Sequence, residues 1–200
     1  RGITPQQLQQ AMDACFPDLD DIVHANMRAA LALPFQGLLR GAEFAADGAW
    51  NSKLDLSRAD IAVLTSERLV VMMQPCKNMQ TLTGKTVPLI IGAGGDFIDA
   101  VAEMENLLRV DPVAAADAAA TPLFRTGRSS HERKPLRAAD VRFVLRQLMV
   151  AIGEKPEQFG THSLRIGGAT ALFAAGADAT VIRTMGRWSS DIYRLYVRAC

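Results

Sequence analysis

Apolar residues recur every three or four positions through much of this chain, which is the spacing of helices that bury one face. A first helix is predicted over residues 4–15, because Thr4 can cap it, Pro5 suits the first helical position and Gln7 can close a capping box. A second helix is predicted over residues 18–33, and Pro34 is expected to interrupt it. A short buried turn or helix follows and carries two charged residues among apolar ones.

The middle of the chain changes to runs of β-favouring residues. They predict a small three-stranded antiparallel sheet with strands at residues 61–64, 69–73 and 86–91, and with a polar tip between the last two. Helical spacing returns over residues 97–110, and residues 111–135 are predicted to form a long loop with one helical turn at most. Four closing helices are predicted at residues 138–152, 162–175, 179–185 and 190–198. The predicted fold is mainly α with a small antiparallel β-sheet (α+β).

Composition supports one globular domain, since 200 residues with 49% hydrophobic content can bury a core. The sequence has neither an apolar run of about 18 residues nor a charged-then-apolar leader, so we expect a soluble, intracellular protein of the cytoplasm, nucleoid or nucleus, with no membrane partner. Its three cysteines are widely spread, which excludes a disulfide framework and fits a reducing compartment. The histidines lack metal-ligand spacing and the glycines lack a nucleotide-binding pattern, so no metal or cofactor is predicted.

Charge is divided unevenly along the chain, although the net charge is only +1. Residues 1–120 hold 9 basic and 15 acidic residues, whereas residues 121–200 hold 13 basic and 6 acidic residues. A basic C-terminal part of this kind suits a protein that binds a polyanion on one face. A solvated basic surface would explain the same charges.

Two stretches near the C-terminus carry the strongest chemical signal. In the first, His162 and Arg165 lie three positions apart at the start of a predicted helix, so they share one face. In the second, Trp188 lies 23 positions after Arg165, and Tyr196 lies 8 positions after Trp188. This order and spacing resemble the catalytic domain of tyrosine recombinases, the phage-integrase family.

Two further stretches extend the resemblance upstream. Arg40 and Glu43 are similar to the family's first arginine box and its acidic companion, and Lys77 sits where the family carries a lysine between two strands. Lys85 is the rival for that lysine. The resemblance covers residues 4–198, so residues 1–200 are interpreted as the catalytic domain. It implies that a helical core-binding domain before it and a docking tail after it are missing from what is expected to be a fragment.

The chemistry of such a set follows from its residue types. Attack of a phenol on a phosphodiester creates a phosphorane with about two negative charges, which two guanidinium groups, Arg40 and Arg165, can hold. The start of the helix, capped by Thr161, adds backbone donors. The resemblance implies the remaining roles: proton transfer for His162, an indole donor for Trp188, general acid for Lys77 and nucleophile for Tyr196.

Each of these residues also has a purely structural interpretation. Arg40 and Glu43 would then be an ordinary helix pair, His162 a histidine satisfied at a helix start, Trp188 a core residue and Lys77 a solvated turn residue. The conjunction of spacings is what favours a functional site. Tyr193, three positions before Tyr196, is the alternative nucleophile. Spacing favours Tyr196, and Tyr193 would then either pack in the core or support the residues that touch the substrate.

The resemblance implies an enzyme that cuts and rejoins double-stranded DNA through a 3′-phosphotyrosyl intermediate, as in DNA integration by mobile elements. A full-length protein of this kind is expected to act as a homotetramer on paired sites. Two alternatives stay open. One is a type IB topoisomerase, which relaxes DNA without exchanging partners, and the other is a catalytically inactive DNA-binding relic of a mobile element.

Overall fold

A computed structural model describes residues 1–74, 86–94, 97–129, 131–188 and 190–195. Helices account for most of its regular structure, and their bounds are α1 (Pro5–Cys15), α2 (Ile22–Gln36), α3 (Gly41–Phe44), α4 (Ala100–Val110), α5 (Ala138–Ala151), α6 (Thr161–Ala174) and α7 (Ala179–Met185). Short 3₁₀ helices lie at Arg58–Asp60, Ala118–Ala120, Pro156–Gln158 and Asp191–Leu195. The predicted fold class, mainly α with a small antiparallel sheet, is confirmed.

Helix α1 begins as its sequence predicts. The backbone N–H of Gln7 donates to the hydroxyl of Thr4 at 3.1 Å, and the backbone N–H of Thr4 donates to the side-chain oxygen of Gln7 at 3.0 Å. Pro5 occupies the first helical position. The capping box is therefore formed by local residues alone.

Helix α2 is the central element of the core, and it does not stop where the sequence predicts. It continues through Pro34 to Gln36, and every residue from 25 to 35 is buried. Pro34 lies in the last turn, so its missing N–H removes a single helical hydrogen bond. Burial of α2 against α4 and α6 outweighs that loss. The predicted interruption at Pro34 is wrong for this reason.

The predicted three-stranded sheet is confirmed. Strands β1 (Ile61–Thr65), β2 (Arg68–Met73) and β3 (Val87–Gly92) pair antiparallel in the order β1-β2-β3. Alternate residues of β2, namely Leu69, Val71 and Met73, are buried, so this face of the sheet covers the core. The connection between β2 and β3, with Lys77 and Lys85, lies outside the described residues.

Two predictions near the C-terminal half need correction. The predicted loop over residues 111–135 contains a two-stranded hairpin, β4 (Arg125–Thr126) and β5 (Lys134–Pro135), in addition to a 3₁₀ turn. Strands of two residues leave no alternating pattern to detect, and β4 is held by a distant contact from its backbone N–H to the side-chain oxygen of Asn26. The last predicted helix is a 3₁₀ helix over its described part, Asp191–Leu195.

Two adjacent glycines set the approach of α6 to the rest of the core. A Cβ on Gly168 would lie 1.9 Å from the carbonyl oxygen of Phe35, and one on Gly167 would lie 2.0 Å from the carbonyl oxygen of Ile3. Helix α6 therefore meets the backbone of α2 at a distance that only glycine permits. This contact brings Arg165, one turn earlier on α6, against the segment that follows α2.

We predict that Gly168→Ala lowers the free energy of unfolding by about 1–3 kcal/mol, because the new methyl group overlaps a backbone carbonyl. The loss is expected even though alanine has the higher helix propensity, by about 1 kcal/mol. Urea unfolding followed by circular dichroism measures the change. Gly48→Ala is the matched control, since its Cβ meets no atom within 4 Å. Equal stability of the two variants would contradict the close helix contact.

Candidate active site

Arg165 lies at the centre of the candidate site, and its side chain is buried with only 1% of the residue exposed. Its Nη1 donates to the carbonyl oxygen of Leu38, and its Nη2 donates to the carbonyl oxygen of Gly186 at 2.5 Å. Leu38 follows α2, and Gly186 follows α7. One guanidinium thus joins two segments that are far apart in the sequence, and charged donors make these hydrogen bonds stronger than neutral ones.

Trp188 covers this guanidinium. The Cζ atom of Arg165 lies 4.1 Å from the centre of the indole ring, which is a cation–π contact. Tyr193 packs against Trp188, and the centres of their two rings lie 6.5 Å apart. Both aromatic residues are buried, in a small cluster with Leu38, Ala169 and Ile182. Tyr193 therefore packs in this cluster, and its role as a packing residue or as the alternative nucleophile stays a prediction.

Arg40 and Glu43 form the pair that the sequence predicts. Arg40 precedes α3, and its backbone N–H donates to Oε2 of Glu43 at 2.6 Å while its Nη1 donates to Oε1 at 2.8 Å. The carboxylate of Glu43 is 3% exposed, whereas the side chain of Arg40 is 30% exposed. Glu43 therefore orients a guanidinium that solvent, or a ligand, can reach.

Arg187 is a residue of this site that the sequence analysis missed. Its Nη2 donates to Oε2 of Glu43 at 2.8 Å and to the carbonyl oxygen of Leu38 at 3.2 Å. Its backbone has φ +54°, and Leu38 has φ +51°, so both occupy the left-handed region that side chains disfavour. The available signal was a charged residue placed directly beside a tryptophan that the sequence already marked as a site residue.

The buried carboxylate of Glu43 stays ionised because of these arginines. Burial acts to raise its pKa, but the charge of Arg187, the backbone N–H of Arg40 and the charge of Arg40 together hold the pKa below 4.5. A depressed pKa in the folded state stabilises the fold above pH 4.5, and this contribution is lost as the pH falls through the folded-state value.

Helix α6 begins at Thr161, one residue earlier than predicted. Gly160 is the N-cap, and its backbone N–H donates to the hydroxyl of Ser163 at 3.1 Å, so the prediction of Thr161 as the cap is wrong. Gly160 takes an extended conformation, with φ −161° and ψ −177°, and Thr161 is free for another contact. A Cβ on Gly41 would lie 3.0 Å from the hydroxyl of Thr161, so the start of α6 touches the start of α3.

His162 is exposed at the first turn of α6. Partial burial of its ring lowers its pKa, and the positive charges of Arg165, the chain N-terminus and Arg40 lower the pKa further. The imidazole is therefore neutral at pH 7 and can accept a proton.

Three predicted residues lie outside the described part of the chain: Lys77, Lys85 and Tyr196. Their roles stay predictions. The described residues contain no group of three or more His, Cys, Asp or Glu side chains that could hold a metal ion. Among those same residues, no helix is long and apolar enough to cross a membrane.

Solved structures share the fold described above. XerA recombinase aligns with a TM-score of 0.70 at 16% identity, over 100% of this chain and 59% of that chain. XerH site-specific recombinase bound to its difH substrate aligns with a TM-score of 0.65 at 16% identity, over 100% of this chain and 51% of that chain. The Tn1549 transposon integrase in complex with a circular intermediate DNA aligns with a TM-score of 0.64 at 15% identity, over 100% of this chain and 62% of that chain.

The chain has the fold of tyrosine recombinase catalytic domains. It spans between half and two thirds of the length of these three proteins. No protein-family model matches the sequence, and no curated protein matches it. The resemblance that the motifs predict is therefore confirmed at the level of the fold.

We predict that His162 titrates below its ordinary pKa of about 6.5, because protonation would add a third positive charge near Arg40 and Arg165. NMR titration of the three histidine rings measures this, and His162→Gln identifies the signal. Since the folded-state pKa is lowered, the unfolded chain binds more protons between the two values, so stability rises with pH in that window. Inorganic phosphate is expected to raise the pH midpoint of the His162 titration, because a bound anion favours the protonated ring. A midpoint at or above 6.5 in phosphate-free buffer would contradict the electrostatic environment.

We predict that Arg187→Lys lowers the free energy of unfolding by about 1.5–3 kcal/mol, because one ammonium nitrogen cannot replace the two guanidinium nitrogens that donate to the carbonyl oxygen of Met185 and to Glu43. Arg194→Lys is the control, since 71% of that side chain is exposed. Urea unfolding compares the two variants. If Arg187→Lys is as stable as the control, Arg187 does not hold the loop that carries Trp188.

Proposed function

We propose that this chain is the catalytic domain of a site-specific DNA recombinase that cuts and rejoins DNA through a 3′-phosphotyrosyl intermediate. The observation that carries the proposal is that the start of α3, which follows Arg40, lies against the start of α6, which carries His162 and Arg165, and the sequence assigned these three residues to one phosphate site. They come from the start of α3 and the first turns of α6. The fold that brings them together is the fold of tyrosine recombinase catalytic domains.

The two arginines suit different parts of the task. The guanidinium of Arg40 is 30% exposed, so it can donate to a non-bridging oxygen of a phosphate. Arg165 is buried beneath Trp188, and a buried charge is screened less by water than an exposed one. Together they stabilise the negative charge that grows on the phosphorane.

In the proposed reaction, the phenol oxygen of Tyr196 attacks the phosphorus and forms a new O–P bond. The bond from phosphorus to the 5′ oxygen breaks, which leaves a 3′-phosphotyrosine and a free 5′-hydroxyl. Neutral His162 accepts the phenol proton, and Lys77 or Lys85 donates a proton to the departing oxygen. The phosphotyrosyl bond keeps the energy of the broken bond, so a 5′-hydroxyl of a second strand can reverse the step.

Duplex DNA is the proposed partner, and two of the related structures contain DNA. XerH is bound to its difH substrate, and the Tn1549 integrase is bound to a circular intermediate DNA. We therefore propose that this chain also binds duplex DNA, and the excess of basic residues over positions 121–200 supports this. We also propose that the protein comes from a mobile element and that, at full length, it assembles into a homotetramer on paired sites.

We predict that this chain forms a covalent adduct with DNA that survives denaturant, and that Tyr196→Phe abolishes the adduct whereas Tyr193→Phe retains it. The substrate is a library of random duplexes with a nick near each candidate site, so that the short cleaved strand diffuses away. Denaturing gels detect the adduct. Adduct formation by Tyr196→Phe, or its loss in a folded Tyr193→Phe protein, would overturn the assignment.

A sulfur in place of the bridging 5′ oxygen identifies the general acid in the same assay. A thiolate leaves without a proton, so the variant that lacks the general acid recovers on this substrate. Lys77→Ala and Lys85→Ala form the matched pair, and rescue of one selects that lysine. Relaxation of supercoiled plasmid without strand exchange would instead assign a type IB topoisomerase. A chain that binds DNA but never forms the adduct is a DNA-binding relic.

A further inference from the structure

A second cluster of arginines, built from residues that the candidate active site does not use, lies where the β4–β5 hairpin packs against α2. Its centre is Asp111, which follows α4 and has a side chain that is 1% exposed. The carboxylate accepts from Nη2 of Arg58 at 2.7 Å, from Nη2 of Arg125 at 2.5 Å and from Nη1 of Arg133 at 2.6 Å. The hairpin thus contributes one arginine from β4 and another from just before β5.

The charges in this cluster do not balance. Three guanidinium groups face one carboxylate, and the side-chain amide of Asn26 also donates to Asp111 at 3.3 Å, so four donors share two carboxylate oxygens. A carboxylate has about four acceptor positions, so this one is saturated. Two positive charges remain in excess.

Two further observations show the shortage of acceptors. Within the described part of the chain, the Nε atoms of Arg58, Arg125 and Arg133 are buried without a hydrogen-bond partner. Burial lowers the pKa of Arg58 to about 10, and the charges of Arg125 and Arg133 add to that effect against the attraction of Asp111. Uncompensated buried charge is costly, and an additional anion would relieve it.

A pocket beside the cluster can hold such an anion. It has a volume of about 390 Å³, and Arg125, Arg133 and Lys134 line it together with Trp50 and Thr121. The side chains of Arg125 and Arg133 are 16% and 23% exposed, and Lys134 is exposed. The excess charge of the cluster therefore reaches solvent at this pocket.

We propose that the pocket beside Asp111 binds a phosphate group, and that this phosphate belongs to the DNA backbone outside the cleavage position. The second part rests on the proposed function. Three guanidinium groups face one carboxylate in this cluster, and a lysine lies at its open edge, so the positive charges exceed what Asp111 can neutralise. A phosphate oxygen is the acceptor that such donors prefer.

The path of the chain keeps this pocket within reach of a duplex at the candidate active site. Ala46, three residues after Glu43, bridges to Arg137, three residues after Lys134. Extended-chain geometry then limits the separation of Glu43 and Lys134 to about 27 Å, the length of about eight base pairs. The two sites are therefore no farther apart than the length of a short DNA arm.

The first experiment uses inorganic phosphate as the probe and the two tryptophan indole N–H signals in NMR spectra as reporters. Trp50 lines the pocket and Trp188 covers Arg165, so each signal reports one site, and Trp50→Phe assigns them. We expect a saturable shift of the Trp50 signal that weakens at least several-fold in Arg133→Gln. An unmoved Trp50 signal would overturn the pocket, whereas an unmoved Trp188 signal would count against the proposed function.

The second experiment separates DNA from free phosphate. Binding of a 20-base-pair duplex is measured by anisotropy at several salt concentrations for the parent chain, Lys134→Gln and the control Arg68→Gln, which removes an exposed charge on the sheet. Lys134→Gln keeps every ion pair of Asp111, so its fold is preserved. Loss of one phosphate contact lowers the slope of log K against log salt by about 1.

We therefore expect a shallower slope for Lys134→Gln and an unchanged slope for Arg68→Gln. Equal slopes for all three proteins, with the Trp50 signal still responding to phosphate, would overturn the DNA assignment and identify a site for a free anion. A parent chain that fails to bind duplex DNA would also overturn that assignment, together with the proposed function.

Discussion

The candidate active site depends on one buried charge, the guanidinium of Arg165. Its donors hold the carbonyl groups of Leu38 and Gly186, and the ring of Trp188 covers its face. A buried charge that lost these partners would be strongly destabilising, so the segments after α2 and α7 cannot separate without cost. The left-handed backbone conformation of Leu38 and Arg187 costs about 1 kcal/mol or more at each residue. It is maintained because the contacts around Arg165 hold both segments in place.

Two carboxylates organise the arginines of this fold in different ways. Glu43 holds Arg40 and Arg187, and only Arg40 has much of its side chain exposed. Asp111 holds three arginines, two of which reach a pocket. In both clusters the guanidinium groups outnumber the carboxylates. A chain whose net charge is only +1 thus concentrates positive charge at two places, where a polyanion would meet it.

Much of the fold could be predicted from sequence because its signals are local. The capping box of α1 involves residues three positions apart, and the alternation in β2 needs only its own residues. The predictions of secondary structure were wrong where contacts between distant residues outweighed the local preferences of the chain. Burial carried α2 through Pro34, and Asn26 together with Asp111 fixed a hairpin too short to show a pattern. Within the site, the motifs located Arg40, His162 and Arg165, but Arg187 lacked a motif of its own.

The sequence by itself determined most of the helices, the three-stranded sheet, the fold family that they resemble and the residues proposed for the candidate chemistry, because each of these depends on residue type and spacing. Tertiary structure decided which groups meet. Arg165 reaches a carbonyl 127 positions away, and Arg187 reaches a carboxylate 144 positions away. Such contacts depend on how closely helices approach, and here the approach depends on the missing side chains of Gly167 and Gly168. Periodicity reports that a face is buried, but it does not report which partner covers it.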